Sequence, residues 1–309
     1  MSITLRLKHE DSEVRRIAVL ELADEADEEH IPLLIDALND SVPSVRVEAA
    51  KALEGFEEEE AIRALLNALK DQESTVREAA AQSLSELKQA SSAVYILPFA
   101  SDKQPFVQMA ALRALRELRV PQSFEPARAA LSASDAMIRR EAVVVLGYLK
   151  YPEALPLLIQ RAGHDEDTDV RRVAIGALGF AQDRQILPAL LQGLKDQAWQ
   201  VREEAATTLG KLRLREAVEH LIEAMNDPYW QVQLRAARSL GRLKENRAVP
   251  ILLETLEHTV SNVRKEAALA LGEIGDASAL ETLERNTNDP DPDVRKSVRL
   301  AIQQICQTI

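Results

Sequence analysis

The sequence predicts an all-α fold, an α-solenoid of about ten stacked helix–turn–helix repeats. A valine or isoleucine recurs ten times at a spacing of 31 residues, with one interval of 32, and arginine follows it directly in eight repeats. Alanine lies four residues after it in nine repeats. A fixed period of this size is typical of stacked arrays, in which no repeat buries its apolar face alone. We call these residues anchors: Val14, Val45, Val76, Val107, Ile138, Val170, Val201, Val232, Val263 and Val294.

The residues around each anchor predict the second helix of a repeat. In the seventh repeat Val201, Ala205 and Leu209 are four residues apart. Residues at this spacing fall on one stripe of a helix, which then faces the core. A small alanine in the middle of the stripe indicates that another helix crosses close to it.

A second apolar run precedes each anchor and predicts the first helix. Pro32, Pro188 and Pro250 lie near the start of such runs, where a missing N–H costs little. Glycine recurs nine residues after five of the anchors, late in the second helix, which indicates close helix packing or a loosened helix end rather than a phosphate-binding loop. These glycines are Gly147, Gly179, Gly210, Gly241 and Gly272.

Aspartate stands five residues before most anchors, and we expect it to cap the second helix by accepting backbone N–H groups. The arginine after the anchor offers five donors, which predicts bridges to the aspartate or turn carbonyls of the neighbouring repeat. Glutamine replaces this arginine at Gln108 and Gln233. The aspartates are Asp40, Asp71, Asp102, Asp165, Asp196, Asp227 and Asp289.

The unbroken period predicts a single solenoid domain over residues 1–309, monomeric when alone. The net charge is −12, with 50 acidic against 38 basic residues, which disfavours generic nucleic-acid binding. Cys306 is the only cysteine, so no internal disulfide is expected. The N-terminus lacks the apolar core of a signal peptide, and no apolar run is long enough to span a membrane. Together these features predict a cytoplasmic protein.

The pattern Asp-x-x-x-x-Val-Arg-x-x-Ala-x-x-x-Leu-Gly is well represented by residues 196–210. It resembles the HEAT-like repeats of the phycobilisome-lyase type, and the resemblance covers essentially the whole chain. That family includes bilin lyase subunits, chaperone-like factors and scaffolds. The resemblance therefore implies the fold, while an activity cannot be transferred on fold alone.

The middle repeats depart from the average of the array. Positions two, six and nine residues after the anchor are expected to face outward on the concave side, opposite the core stripe. In the fourth to sixth repeats they carry four arginines and no acidic residue, which predicts a cationic, partly apolar groove for an acidic or amphipathic partner segment. In the alternative, the arginines pair with Glu117 and Glu141. The predicted groove residues are Met109, Arg113, Arg116, Arg140, Val144, Tyr148, Arg172 and Phe180.

A second departure is aromatic. Trp199 and Trp230 are the only tryptophans, each two residues before an anchor in adjacent repeats, with Tyr229 beside the second. Equal offsets predict that the two tryptophans stack at the turn edge. An exposed aromatic rim is typical of a binding surface, and ordinary turn packing is the alternative.

Nothing in the sequence indicates a catalytic site, a metal or a cofactor. The five histidines lie in five different repeats at offsets that we take to be unrelated, so they are not expected to converge. No hydrolase, metal-binding or nucleotide-binding motif occurs. The sequence thus predicts a non-catalytic protein-binding scaffold, adaptor or assembly factor. The resemblance supplies the alternative, a bilin lyase that would place Tyr148 and Phe180 against the tetrapyrrole rings and arginines on its propionates.

Overall fold

The computed structural model describes residues 2–25, 27–181 and 183–308. The chain divides into two compact units, residues 1–149 and residues 150–309. Within the described residues both units are built of helices joined by short turns, and no β-strand occurs. A single array over residues 1–309 stays a prediction.

Unit 1 holds the first repeats. Its α-helices, within the described residues, are α1 (Ile3–Arg6), α2 (Ser12–Glu25), α3 (Ile31–Ala37), α4 (Pro43–Ala52), α5 (Glu59–Ala68), α6 (Ser74–Ser85), α7 (Ala93–Ile96), α8 (Pro105–Leu118), α9 (Phe124–Ala130) and α10 (Ala136–Leu149).

Unit 2 continues the same alternation. Its α-helices, again for the described part of the chain, are α11 (Leu155–His164), α12 (Thr168–Ala177), α13 (Leu187–Gly193), α14 (Trp199–Leu212), α15 (Val218–Ala224), α16 (Trp230–Leu243), α17 (Val249–Thr255), α18 (Ser261–Ile274), α19 (Leu280–Arg285) and α20 (Pro292–Thr308).

The odd-numbered helices are the first helices of the repeats, and the even-numbered helices are the second. Within each unit every second helix packs on the next second helix, and most second helices also pack on the first helix of their own repeat. The first helices are short because 3₁₀ turns precede most of them, and Pro32, Pro188 and Pro250 lie in their first turns as predicted. The predicted helix–turn–helix repeat is confirmed.

The anchor stripe forms the core of each unit. Val201, Ala205 and Leu209 are all completely buried. The same holds for Val232, Ala236 and other anchor–alanine pairs along the chain, whereas Val14 in the first repeat is only half-buried. Burying a valine or leucine side chain contributes about 1.5–3 kcal/mol, so this stripe contributes strongly to the stability of each unit.

Arginines that follow the anchors form parallel pairs of hydrogen bonds with aspartates of the next repeat. In five pairs the guanidinium Nε and Nη2 donate to the two carboxylate oxygens at 2.6–3.0 Å. We call each such pair a rung. Among the described contacts these rungs are Arg15–Asp40, Arg46–Asp71, Arg171–Asp196, Arg202–Asp227 and Arg264–Asp289.

Each rung also fixes the turns on either side of it. Arg46 donates through Nη1 to the backbone carbonyl of Asp40 at 2.8 Å, while its rung partner Asp71 accepts the backbone N–H of Glu73 at 2.9 Å. The hydrogen bond from Arg46 lowers the pKa of Asp71 and outweighs the opposing effect of burial. The predicted roles of arginine as a bridge and of aspartate as a cap are both confirmed here.

Two rungs are missing, and in each case both partners are replaced. The two residues of a complete rung are 25 positions apart in the sequence. At this spacing Gln108 corresponds to Ala133, and Gln233 corresponds to His258. Gln233 donates instead to the backbone carbonyl of Asp227 at 2.7 Å. Gln233 therefore retains the contact that a rung arginine makes with its own turn, whereas Gln108 donates to the backbone carbonyl of Ala100 at 3.1 Å. Neither glutamine has an aspartate at the rung position of the next repeat.

Histidine takes over the capping role at two aspartate positions. The Nδ1 atoms of His9 and His258 accept the backbone N–H groups of Asp11 and Val260 at 3.1 and 3.0 Å. Both histidines stand five residues before their anchors. The prediction that all histidines lie at unrelated offsets is therefore wrong for this pair.

One further rung is rearranged in unit 1. Asp102 accepts a hydrogen bond from Lys70 Nζ at 2.9 Å. The guanidinium of Arg77, the arginine that would reach Asp102 in the regular pattern, lies 5.6 Å from the ring centroid of Phe106. A cation–π contact thus replaces the ion pair.

Glycines late in the second helices allow consecutive helices of unit 2 to approach closely. A Cβ atom added at any of three glycines would lie 2.8 Å from a Cα atom of the next second helix. Any side chain there would push the two helices apart, so the packing explanation of these glycines is confirmed. The contacts are Gly210 with Ser239, Gly241 with Ala270, and Gly272 with Ala301.

Several second helices end in the left-handed conformation twelve residues after the anchor, and most of these positions are not glycine. Gly275 has a φ of 80°, whereas Arg119, Arg213 and Lys244 have φ values of 49°, 52° and 54°. Left-handed backbone is unfavourable for residues with a Cβ atom. The packing of the next repeat therefore holds these ends in place against a local conformational cost.

Replacing Gly241 with alanine should lower the free energy of unfolding by about 1–3 kcal/mol, because the added methyl group meets the backbone of α18. The matched control is Gly176→Ala in α12, where the new Cβ would meet only the movable carboxylate of Glu204, 2.9 Å away. The control should be neutral or stabilising by up to about 1 kcal/mol through helix propensity. Urea denaturation followed by circular dichroism measures both, and equal losses in the two variants would contradict the packing account.

Restoring a missing rung should stabilise unit 2. We expect the double variant Gln233→Arg/His258→Asp to raise the free energy of unfolding by about 1–2 kcal/mol, the contribution of a charged hydrogen-bonded pair. Each single variant introduces a charge without its partner and should gain little or lose stability. A double-mutant cycle by chemical denaturation tests this, and strict additivity of the two changes would refute the rung.

Candidate interaction surface

Three of the predicted groove arginines lie together on α8 and α10 of unit 1. Arg140 donates through Nη2 to Glu141 Oε1 at 2.7 Å, and Arg113 Nη2 lies 3.7 Å from the same oxygen. The Glu141 side chain is only 3% exposed, whereas both arginines are about one-third exposed. Among the described contacts, one buried carboxylate thus serves two guanidinium groups, and its single negative charge cannot neutralise both.

The third arginine extends this charged area along α8. Arg116 Nε lies 3.7 Å from Glu117 Oε1 and makes no hydrogen bond. As the alternative explanation expects, Glu117 and Glu141 do contact these arginines. Those contacts do not neutralise the arginines, because Arg113 and Arg140 share a single carboxylate.

Arg119 contacts Tyr148, one of the predicted groove residues, and was missed by the sequence reasoning. It follows the last residue of α8 in the left-handed conformation, and its guanidinium lies 5.4 Å from the ring centroid of Tyr148. Tyr148 is exposed. Offsets within a helix cannot predict this contact, because it depends on how α8 ends.

The structure corrects one predicted groove residue. Met109 is 7% exposed and lies in the core, so it does not line a surface. It occupies the first of the three offsets expected to face outward, and the long side chain turns inward between packed helices. Val144, at the second offset on α10, is half-buried between the core and the surface.

The remaining predicted groove residues belong to unit 2. Arg172 on α12 donates through Nε to Asp169 at 3.2 Å. Phe180 lies in the 3₁₀ turn Leu178–Phe180 that follows α12 and is half-buried. That these two residues share one groove with the arginines of unit 1 stays a prediction.

A glutamate next to Arg172 could not be identified from the sequence. Glu204 on α14 reaches across to α12, where a Cβ atom at Gly176 would lie 2.9 Å from its Oε1 atom. Burial raises the pKa of Glu204, and the positive charge of Arg172 opposes this shift. The absence of a side chain at Gly176 leaves the space that the Glu204 carboxylate occupies beside α12.

The aromatic rim lies in unit 2. Trp199 stacks on Tyr229 with ring centroids 5.7 Å apart and an interplanar angle of 17°. Tyr229 is 45% exposed and Trp230 is 38% exposed. The stacked partner of Trp199 is Tyr229, not Trp230 as expected from their equal offsets, because Tyr229 stands one residue closer to the turn.

The described residues contain neither a cluster of metal-ligating side chains nor a membrane-spanning helix. No three His, Cys, Asp or Glu side chains in the described ranges come together so as to hold a metal ion. None of the described helices is both long and apolar enough to cross a bilayer.

Four stretches of the sequence match the family of HEAT repeats: residues 2–85, 93–179, 158–229 and 218–303. These stretches cover nearly the whole chain, which therefore belongs to the HEAT repeat family. The match leaves the finer assignment to the phycobilisome-lyase type as a prediction. No curated protein matches the sequence.

Solved structures with the same fold share little sequence with this chain. Kap95p in a complex with RanGDP is 15% identical with a TM-score of 0.69, over 99% of this chain and 50% of that one. Kap95 in a complex with Nup1 is 16% identical with the same TM-score and the same coverage. YibA of Escherichia coli is 19% identical with a TM-score of 0.55, over 93% of this chain and 96% of that one. The chain spans about half the length of the Kap95 chains, and these likenesses show the fold.

Removing the shared carboxylate should destabilise unit 1 in a salt-dependent way. We expect Glu141→Gln to lower the free energy of unfolding by about 2–3 kcal/mol at low salt, because two guanidinium groups then face each other without a buried counter-charge. Added sulfate should recover part of this loss. The control Glu117→Gln removes a more exposed partner and should cost less than about 1 kcal/mol. Urea denaturation at two sulfate concentrations distinguishes them, and similar losses for both variants would contradict the special role of Glu141.

Proposed function

We propose that the protein is a non-catalytic protein-binding scaffold that binds an acidic segment of a partner on the second-helix face of unit 1. The observation that carries this proposal is the single carboxylate oxygen of Glu141 shared by Arg113 and Arg140. A partner carboxylate would supply the missing negative charge. Arginine pairs readily with carboxylates and is enriched at the energetic centres of interfaces.

Apolar surface beside the arginines suits an amphipathic partner segment. Tyr148 is exposed and lies under the guanidinium of Arg119, and Val144 on the same helix as Tyr148 is half-buried. Aromatic and aliphatic groups next to charged ones allow both burial of apolar area and a directed ion pair. Membership of the HEAT repeat family supports the scaffold role, and the Kap95 structures show proteins of this fold in complexes with RanGDP and with Nup1.

The wider predictions from the sequence belong to the same proposal. Arg172 and Phe180 would extend the partner-binding groove into unit 2. The protein would act as a monomer in the cytoplasm, without a cofactor. A bilin lyase activity is not proposed, since no observation favours it: Arg119 already lies over the ring of Tyr148, and Phe180 is half-buried.

A labelled peptide of ten glutamates tests the charged face directly. Fluorescence anisotropy at low salt should show binding to the wild-type protein and at least tenfold weaker binding to Arg113→Glu/Arg140→Glu, since each reversal replaces attraction by repulsion. The matched control is Arg63→Glu/Arg128→Glu, which makes the same change of net charge on the exposed first helices α5 and α9 of unit 1. It should weaken binding by less than about threefold through long-range electrostatics alone.

Circular dichroism must first show that each variant is folded. The milder pair Arg113→Gln/Arg140→Gln provides the same comparison if the reversals unfold unit 1. Equal losses in the test and control variants would mean that only the overall charge matters. Undiminished binding to the Arg113 and Arg140 variants would reject this face as the site.

A further inference from the structure

The turn edge of unit 2 contains a strip without charged residues. In three consecutive repeats the four residues before the anchor include no Asp, Glu, Lys or Arg, in a chain of which 28% is charged. The repeats on either side carry acidic residues in the same segments, Glu166, Asp167 and Asp169 before the strip and Asp291 and Asp293 after it. The strip consists of residues 197–200, 228–231 and 259–262.

The aromatic rim lies in this strip. Trp199, Tyr229 and Trp230 come from its first two segments, and Thr259 and Asn262 in its third segment are exposed. Tyr229 and Trp230 are exposed, Trp199 is half-buried, and none of them has a charged neighbour in its own segment. Such rings are suited to an apolar ligand that carries no charge.

Tyr229, in the aromatic rim, is held in a fixed position because a rung lies beneath it. Arg202 is held by both carboxylate oxygens of Asp227 at 2.6 and 3.0 Å, and its guanidinium lies 5.6 Å from the ring centroid of Tyr229. Asp227 also accepts the backbone N–H of Tyr229 at 2.9 Å. With Trp199 stacked on it as well, Tyr229 is fixed before any ligand arrives, which lowers the entropic cost of binding.

The charges around the rim select against charged ligands of either sign. A cationic side chain over Tyr229 would meet the guanidinium of Arg202, which already uses the ring quadrupole. An anionic segment that ran along the strip would meet the acidic segments at both of its ends. The ligand that remains is an uncharged extended segment whose apolar side chains pack on aromatic rings.

We propose that this edge binds an uncharged, proline-rich segment of a partner protein in the polyproline II conformation. Such segments dock on exposed aromatic side chains and lose little entropy, because their extended helix is already formed. Neighbouring helices lie about 8–10 Å apart, so three turns extend over about 16–20 Å. At about 3.1 Å per residue, a segment of about six residues covers the strip. This surface is separate from the arginines of unit 1 and does not rest on the acidic-partner proposal.

Intrinsic fluorescence reports on this site alone, because Trp199 and Trp230 are the only tryptophans of the protein. The probe is a capped nine-residue peptide of three Pro-Pro-Ala repeats. We expect a saturable change in tryptophan emission as this peptide is added to the wild-type protein. Tyr229→Ala, which keeps both tryptophans, and Trp230→Ala, which keeps the other one, should each weaken binding at least tenfold.

Controls separate this proposal from its competitors. Met137→Ala removes a side chain that is 51% exposed at the start of α10 in unit 1 and should leave the affinity unchanged. A Gly-Ser peptide of the same length should not bind, and neither should a nine-residue lysine peptide. The proposal is overturned if the proline peptide gives no saturable change up to millimolar concentration, if it binds the Tyr229 and Trp230 variants as tightly as the wild type, or if the lysine peptide binds better. Since the arginine variants of unit 1 should bind the proline peptide normally, failure here is distinguishable from failure of the proposed function.

Discussion

The rung between an arginine and the aspartate of the next repeat is the interaction on which the rest of the structure depends. Removing charges from water is costly, and a buried ion pair is tolerated only when its remaining hydrogen-bonding groups are satisfied. Each rung meets this condition. The aspartate accepts two guanidinium N–H groups and a turn N–H, while the arginine also donates to a carbonyl of its own turn. The rung therefore fixes the turn of one repeat relative to the turn of the next. The position of Tyr229 in the aromatic rim is one result of this.

Close approach of the second helices is the complementary constraint. Alanines in the core stripe and glycines such as Gly241 bring consecutive helices of unit 2 so near that a methyl group cannot be added. Side chains on the remaining face of these helices consequently contact groups from adjacent helices. In unit 1 this places Arg113 of α8 and Arg140 of α10 at one carboxylate. Charged side chains that would not contact each other on isolated helices therefore share a partner when the helices are stacked.

The periodicity of the sequence was sufficient to predict the repeat, the core stripe, the capping aspartates and the rungs, because these features follow from the geometry of one helix and its equivalent neighbour. Individual substitutions were harder to interpret. His258 was counted as a scattered histidine, although it stands where other repeats carry the capping aspartate. Gly241 raised the question of a frayed helix end, yet the end comes three residues later at Lys244, where tertiary packing holds a left-handed backbone that lysine alone does not favour.

The candidate surfaces could be predicted only in part. Offsets indicated that Arg113, Arg140 and Met109 all face outward, and the two arginines are partly exposed whereas Met109 is buried. A helical wheel does not show how far a long side chain bends towards the core. The sharing of Glu141 and the stacking of Trp199 on Tyr229 each join residues of different repeats. Such contacts depend on the rotation between neighbouring repeats, which no single-repeat pattern contains.

The division of every rung between two repeats has a consequence for how such a chain can change its length. If one whole repeat is duplicated or deleted, the arginine of one repeat again pairs with the aspartate of the next, provided that both repeats carry the usual residues. The segment from Gln233 to His258 behaves differently, because an insertion or deletion within it would bring glutamine opposite aspartate or arginine opposite histidine. Recombination is therefore tolerated at regular junctions and penalised at the irregular ones, so the two glutamine-containing junctions should be inherited as indivisible pairs of repeats.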